Sequence, residues 1–183
     1  MSEPYKIKVT DLIPDQRNLN AGTERGKYML DKSVETLGAG RSMVIDEQGN
    51  LVAGNKTQEA LVEAGIEDVI VVPTDGKTAV AVQRTDWNLY DEDPNNPARQ
   101  YSVVDNRSSE VGFEIDPEMM EFHIEQGVDF RDWYTDIELQ TIRDEFNRQN
   151  GIPPLQDWPD YDESVEDDVK YHKCPECGHK WAK

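Results

Sequence analysis

Apolar positions along this chain switch between two spacings, and the switches mark where elements begin and end. Tyr5-Lys6-Ile7-Lys8-Val9 alternates apolar and basic residues, the period-two pattern of a half-buried strand. Asp11-Leu12-Ile13-Pro14 breaks it into a loop carrying Asn18, Asn20 and Gly22. A helix is predicted after Thr23 and through Leu37, with Gly38 as a left-handed cap. Met43-Val44-Ile45 and Leu51-Val52-Ala53 flank Asp46-Glu47-Gln48-Gly49-Asn50, which predicts a hairpin. Thr57 to Ala64 reads as a helix with Ala60, Leu61 and Ala64 on one face, closed by Gly65. Val69 to Val72, stopped by Pro73, predicts a strand, and Ala79 to Val82 predicts another after the Thr74-Asp75-Gly76-Lys77 turn. Beyond a polar loop over 86–97, Pro97 opens a helix through Arg99, Tyr101, Val104 and Asn106.

Past Gly112 the pattern is helical and acidic. Asp116-Pro117 starts a short helix that Gly127 ends. Thr135 and Glu138 fit a capping box for a helix to about Gln149, where Gly151 and Pro153-Pro154 stop it. Phe130, Trp133 and Tyr134, beside Ile137 and Leu139, read as a helix-packing core, and His123 as a satisfied structural histidine. Residues 155–170 hold seven acids and little apolar periodicity, which predicts a flexible linker. No internal repeat is visible.

Charge narrows the function classes. The chain has 183 residues and a net charge of −19, of which residues 113–183 carry −12. Such a surface repels a nucleic-acid backbone, so direct DNA binding is expected to be weak or local. No apolar run approaches a membrane span, and the N-terminus lacks the apolar core of a signal peptide, which predicts a soluble cytoplasmic protein. Cys174 and Cys177 close too short a loop to staple the fold.

The stretch from Gly38 to Gly65 carries the sharpest chemistry. Gly54-Asn55-Lys56-Thr57 at a helix start brings backbone N–H groups, the positive helix end, an ammonium and a hydroxyl together, a combination suited to phosphate. It is not a P-loop: Asn55 separates the second glycine from Lys56, and Asn50 to Ala53 reads as a strand, not an open cradle. Nor does the chain hold a Ser-His-Asp order, a His-Glu-x-x-His motif or an acidic cluster of nuclease spacing.

The order helix, glycine, strand, turn, strand, Gly-x-x-x, helix resembles the ParB/sulfiredoxin family from about Lys6 to Gly112. Arg41-Ser42 stand where relatives have a polar-Pro pair, and Gly54 to Thr57 where they have Gly-x-x-Arg. Thr57 holds the position of the family arginine, with Lys56 one residue earlier; a lysine supplies charge but not a bidentate fork. Ala98 to Arg107 looks like the family's acidic-Asn helix, in which Asp105-Asn106 would help hold the Mg²⁺ of a bound nucleoside triphosphate, with Arg41 and Arg107 supplying guanidinium. The resemblance implies an α/β (α+β) fold, a small mixed sheet with flanking helices, over 1–112. A helical extension (113–152), an acidic linker (153–170) and a Cys/His tail (171–183) follow.

That tail, His172-Lys173-Cys174-Pro175-Glu176-Cys177-Gly178-His179, resembles a rubredoxin or zinc-ribbon knuckle. Cys174, Cys177, His172 and His179, or a second copy in a homodimer, are the candidate Zn²⁺ ligands; free thiols or a redox pair are the alternative. Single-domain relatives of this kind accompany phage and mobile-element DNA methyltransferases or packaging proteins. The resemblance therefore implies a nucleotide-binding protein of phage DNA metabolism, as NTPase or phosphotransferase. The rival readings are a non-catalytic adaptor that docks a DNA-modifying or packaging enzyme, and a DNA nuclease.

Overall fold

A computed structural model describes residues 3–153 and 171–182. The chain forms two compact units, Met1–Phe146 and Asn147–Lys183. In the first, β1 (Tyr5–Lys8) pairs antiparallel with β4 (Asp68–Val71), with Tyr5 opposite Val71 and Lys8 opposite Asp68. On that register Asp68 meets Lys8 directly opposite (3.0 Å) and Lys6 diagonally (3.4 Å), in exposed ion pairs. The hairpin β2 (Val44–Ile45) and β3 (Leu51–Ala53) closes over Asp46, whose carboxylate accepts from the Gln48 and Asn50 amides. Leu51 in turn donates its amide to the Ile13 carbonyl, so the hairpin is laced to the segment after β1.

Helix α1 (Glu24–Leu37) starts as its sequence predicts: Thr23 Oγ1 accepts from the Gly26 amide, and Gly38 caps the other end. Leu30 and Val34 on its inner face meet Val9 and, from α2 (Asn55–Glu63), Ala60 and Leu61; Met43, Ile66 and Val69 close the rim of this core. Full burial of a leucine or valine is worth roughly 1.5–3 kcal/mol, so each such residue of this small cluster contributes on that scale. Helix α2 begins two residues earlier than its apolar face suggests. Gly54, at φ 105°, supplies the left-handed turn that lets Asn55 enter the helix, and a Cβ there would meet Met43 Cγ at 2.7 Å.

Helix α3 (Pro97–Val111) runs past Asn106 to a Gly112 cap and packs on α1 through their backbones. A Cβ on Gly26 would lie 2.2 Å from the Gly112 Cα, so the crossing requires glycine on α1. Asn96 opens α3: its Oδ1 accepts from the Ala98 and Arg99 amides while Nδ2 donates to the carbonyls of Asn88, Leu89 and Asp91. That side chain is 1% exposed, and it gathers the polar loop over 86–97 onto the helix start. Helix α4 (Pro117–Glu125) is capped by Asp116 and buries Met120. His123 meets the Arg17 carbonyl at 3.0 Å, a structural contact in line with its sequence reading. Helix α5 (Asp136–Gln149) carries the expected capping box, with Thr135 and Glu138 exchanging side-chain and amide hydrogen bonds.

Three expectations fail. Ala79 to Val82 is not a strand; Val80 and Val82 are both more than half exposed, and the run has no ladder partner among the described residues. An apolar run without a neighbour to take its amides gains nothing from extending. The aromatic cluster before α5 is only half a core: Phe130 meets Tyr134 edge to face at 6.1 Å, but Trp133 is 74% exposed. The turn over 131–134 aims Trp133 outward, and α5 itself buries no residue. The α/β character is as expected, but the small mixed sheet expected over 1–112 is not formed among the described residues: β1 pairs only with β4 and β2 only with β3, so the strands make separate two-stranded antiparallel ladders, as β5 and β6 do. The expected linker lies outside the described residues. No helix among the described residues is long and apolar enough to cross a membrane.

Candidate functional site

Three helix ends converge on one polar cleft of about 270 Å³. The loop over 20–24 and the start of α1 form one wall, through Asn20, Gly22, Thr23 and Lys27. The end of α3 forms another, through Ser108, Ser109 and Gly112, and Arg41 and Lys56 complete the lining. A second cleft of about 310 Å³ lies on the other side of Lys56 and Asn20, bounded by Asp15, Asn18, Asn55 and Asp116. Lys56 therefore borders both.

Asn20 builds the loop wall. Its Oδ1 accepts from the Gly22 and Glu114 amides, and its Nδ2 donates to the Gly112 carbonyl. Thr23 spans the same gap, donating its hydroxyl to the Val111 carbonyl at 2.7 Å while accepting from Gly26. These bonds hold the α1 N-terminus, the positive end of its dipole, against the α3 C-terminus. Gly22 passes so close to Lys56 that its Cβ position is 3.1 Å from the lysine Cε. The Lys56 ammonium pairs with Glu59 one turn along α2 at 3.2 Å, a half-exposed contact of the kind that contributes little.

Arg41 is engaged through Nε and Nη2. Nε donates to Asp105 Oδ1 at 2.6 Å, and Nη2 donates to the Asp105 carbonyl and to the hydroxyls of Ser108 and Ser109. Positions 105, 108, 109 and 112 share one face of α3, so a single guanidinium closes the last turns of that helix. Tyr101, one turn earlier, sits against this pair; burial pushes its phenol up, helped by the Asp105 charge and opposed by Arg41.

The residues singled out from sequence separate accordingly. Lys56 and Arg41 line the cleft together. Asp105 reaches it only through Arg41, and any cation there would compete with that ion pair. Asn55 is buried and accepts from the Asp15 amide, holding the 14–20 loop. Thr57 is buried against a narrow gap lined by Leu30, Leu61 and Tyr101, not open to the cleft. Gly54 serves the helix turn, and Ser42 is exposed. Asn106 and Arg107 point elsewhere on α3, bonded to the Ser102 carbonyl and to Glu110. Sequence reasoning passed over Asn20, Thr23, Ser108 and Ser109. The spacing of 105, 108 and 109 was the available signal for the serines.

The Cys/His tail forms a separate hairpin. β5 (Tyr171–Lys173) pairs antiparallel with β6 (Lys180–Ala182), with His172 opposite Trp181 and Lys173 opposite Lys180. Across the turn, Cys174 donates its amide to the His179 carbonyl at 2.8 Å and accepts from the Gly178 amide at 2.9 Å. The Cys177 and Glu176 amides and the Cys177 thiol face the Cys174 sulfur, and these hydrogen bonds hold the Cys174 thiol below its ordinary range. Among the described residues no group of three or more His, Cys, Asp or Glu side chains gathers in metal-binding geometry. No family model, curated protein or solved structure matches the chain.

Proposed function

We propose that the chain binds a phosphate-bearing ligand, a nucleoside triphosphate with its Mg²⁺, in the cleft bordered by Lys56. The observation that carries this reading is the meeting of Lys56, in the first turn of α2, and Arg41, from the loop before β2, with the α1 N-terminus in one polar cleft. On a chain of net charge −19, the recess gathers Lys27, Arg41 and Lys56; Lys27 is held by Asp31 and Glu63 and Arg41 by Asp105, which leaves Lys56, in its longer contact with Glu59, as the cation an anion would recruit. Lys56 can exchange its exposed contact with Glu59 for a phosphate oxygen. The N-terminus of α1, the positive end of its dipole, lies beside it. The two clefts that Lys56 borders, of about 270 Å³ and about 310 Å³, are each near the lower end of the size range of small-ligand pockets.

The reading extends to binding, within a ParB/sulfiredoxin-like domain acting in phage or mobile-element DNA metabolism. Hydrolysis or phosphoryl transfer is left out, because Thr57 is buried where the family resemblance expects an arginine, and Arg41 is committed to Asp105. Calorimetry with CTP, ATP and GTP in the presence of Mg²⁺ tests it. Saturable binding is expected, weakened at least tenfold by Lys56→Ala, since a charge-assisted hydrogen bond contributes about 1.5–3 kcal/mol. Absence of binding to all three, or unchanged affinity in the variant, overturns the assignment.

A non-catalytic adaptor is the second reading. Trp133, in the turn before α5, and Ile137, in the first turn of α5, are 74% and 80% exposed and offer apolar area for a protein partner. A Trp133→Ala variant that still binds nucleotide but loses a co-purifying enzyme would favour it.

A further inference from the structure

We infer that the narrow gap behind Thr57 is a binding site for one ordered water molecule, held between the hydroxyls of Ser33 and Thr57. The gap measures about 10 Å³. Roughly 10–15 Å³ of such space holds a single water, provided that polar groups receive it. Two such groups line it: Ser33 from the inner face of α1 and Thr57 from the first turn of α2, each only 6% exposed. Neither hydroxyl has a hydrogen-bond partner among the described residues. Every fully enclosed side-chain nitrogen or oxygen among those residues is hydrogen-bonded, so these two hydroxyls keep a little open surface, and the gap is the space they line. Thr36, three positions along α1, turns its hydroxyl back to the Lys32 carbonyl. Ser33 makes no such bond, which leaves its hydroxyl for the gap.

The remaining walls close the space. Leu30, Val34 and Leu61 form apolar sides. A Cβ on Gly40 would lie 2.4 Å from Tyr101 Cζ, so the phenol ring rests directly on the backbone of the 38–40 loop and shuts the gap from the α3 side. Arg84 ties the same loop down, its Nη1 donating to the Leu37 and Ala39 carbonyls at 2.8 and 3.1 Å. An apolar gap of this kind would stay dry, whereas one with two buried hydroxyls does not. A water can donate to one hydroxyl oxygen and accept the proton of the other, which satisfies both. Threonine at position 57 thereby has a specific task, because valine keeps its shape and lacks the hydroxyl. Arg41 borders this gap as well as the cleft of Lys56, so the water sits against the side chain that fixes the end of α3.

A high-resolution crystal structure of the full-length chain tests the site directly. One ordered water is expected within hydrogen-bond distance of both Ser33 Oγ and Thr57 Oγ1. In solution, ¹⁷O relaxation dispersion counts long-lived waters as whole molecules and is blind to exchanging hydroxyl protons. A chain with both Ser33→Ala and Thr57→Val is expected to show one long-lived water fewer than the parent, and Thr36→Val, on the exposed side of α1, the same number. Thr57→Val alone, nearly unchanged in shape, gives the same reading should the double variant fail to fold. A gap without water in the crystal, a water that reaches only one of the two hydroxyls, or equal counts in the parent and the hydroxyl-free variants overturns the inference.

Discussion

Arg41 donates through Nε to Asp105 at 2.6 Å, and the same guanidinium reaches the hydroxyls of Ser108 and Ser109. One side chain from the loop before β2 thus sets the position of the end of α3, and with it one wall of the cleft. Lysine lacks the fork needed to make these bonds together. Arg41→Lys is expected to lower unfolding free energy by about 1–2 kcal/mol in urea titration, the lower part of the range for charge-assisted bonds because the pair is partly exposed. A double-mutant cycle with Asp105→Asn should give a coupling of at least about 0.5 kcal/mol. An Arg41→Lys chain as stable as the parent would show that the contact only decorates the surface.

Gly26→Ala tests the α1–α3 crossing. Alanine gains about 1 kcal/mol of helix propensity over glycine. The added methyl would sit 2.2 Å from the Gly112 Cα, a backbone atom that cannot rotate away, and overpacking of this kind costs about 1–3 kcal/mol or more. Net destabilisation and a lowered melting temperature are expected. Lys32→Ala on the exposed side of the same helix should change stability by less than about 0.5 kcal/mol.

At Asn96 the two halves of one amide do different work, so two variants read them apart. Asn96→Ala loses all its bonds and should cost at least about 2 kcal/mol, since buried polar groups are left unpaired. Asn96→Asp keeps an acceptor for the Ala98 and Arg99 amides but turns a carboxylate toward three carbonyls. Its folded-state pKa would therefore be raised, and its deficit at neutral pH should shrink as pH falls through that raised value. A deficit that stays constant between pH 7 and 4.5 would contradict this.

Acid stability should depend on the β1–β4 ladder. Hydrogen bonds from Lys8 and then Lys6 lower the Asp68 carboxyl, and the Arg131 guanidinium holds Asp129 at about 2. A depressed carboxylate contributes stability that is present above its unfolded value, near 3.9, and lost as pH falls through its folded value. The acid limb should therefore begin below about pH 4, and Asp68→Asn should make it shallower. At the other extreme, Glu67 and Asp68 raise the Lys8 ammonium, so its contribution persists below about pH 10.4 and fades only as pH rises beyond. Chemical denaturation across pH 2–11 measures both limbs; an unchanged acid limb in Asp68→Asn would rule out the ladder as its source.

Because Asn106 and Arg107 lie away from the cleft lining, Asn106→Ala and Arg107→Ala should leave nucleotide affinity within about twofold, less than the 1.4 kcal/mol that a tenfold change represents. Parallel calorimetry with Lys56→Ala checks the contrast. Losses of similar size in all three would move the ligand onto the outer face of α3.

Local rules read well where a few adjacent residues settle the outcome. Thr23 and Gly38 bound α1, Asp116-Pro117 opens α4, and the Thr135–Glu138 exchange caps α5, each as its sequence predicts. They fail where a distant neighbour decides. Val80 and Val82 have strand propensity but no ladder to join, and Trp133 has apolar area but a turn that faces it to solvent. The candidate site divides the same way. Lys56 was visible as a cation at a helix start, whereas Asn55 and Thr57 beside it face inward and serve the fold.

By itself, then, the sequence determined the helix ends, the hairpin turns, the acidic balance and the paired cysteines, because caps, glycine turns and charge act over one or two turns of chain. Only the tertiary structure decided which polar side chains share a space. Arg41 meets Asp105 across 64 positions and Asn20 meets Gly112 across 92, since the Gly26–Gly112 contact lets α1 and α3 approach backbone to backbone. Contacts between elements depend on how closely backbones pack, and no short window of residues contains that information.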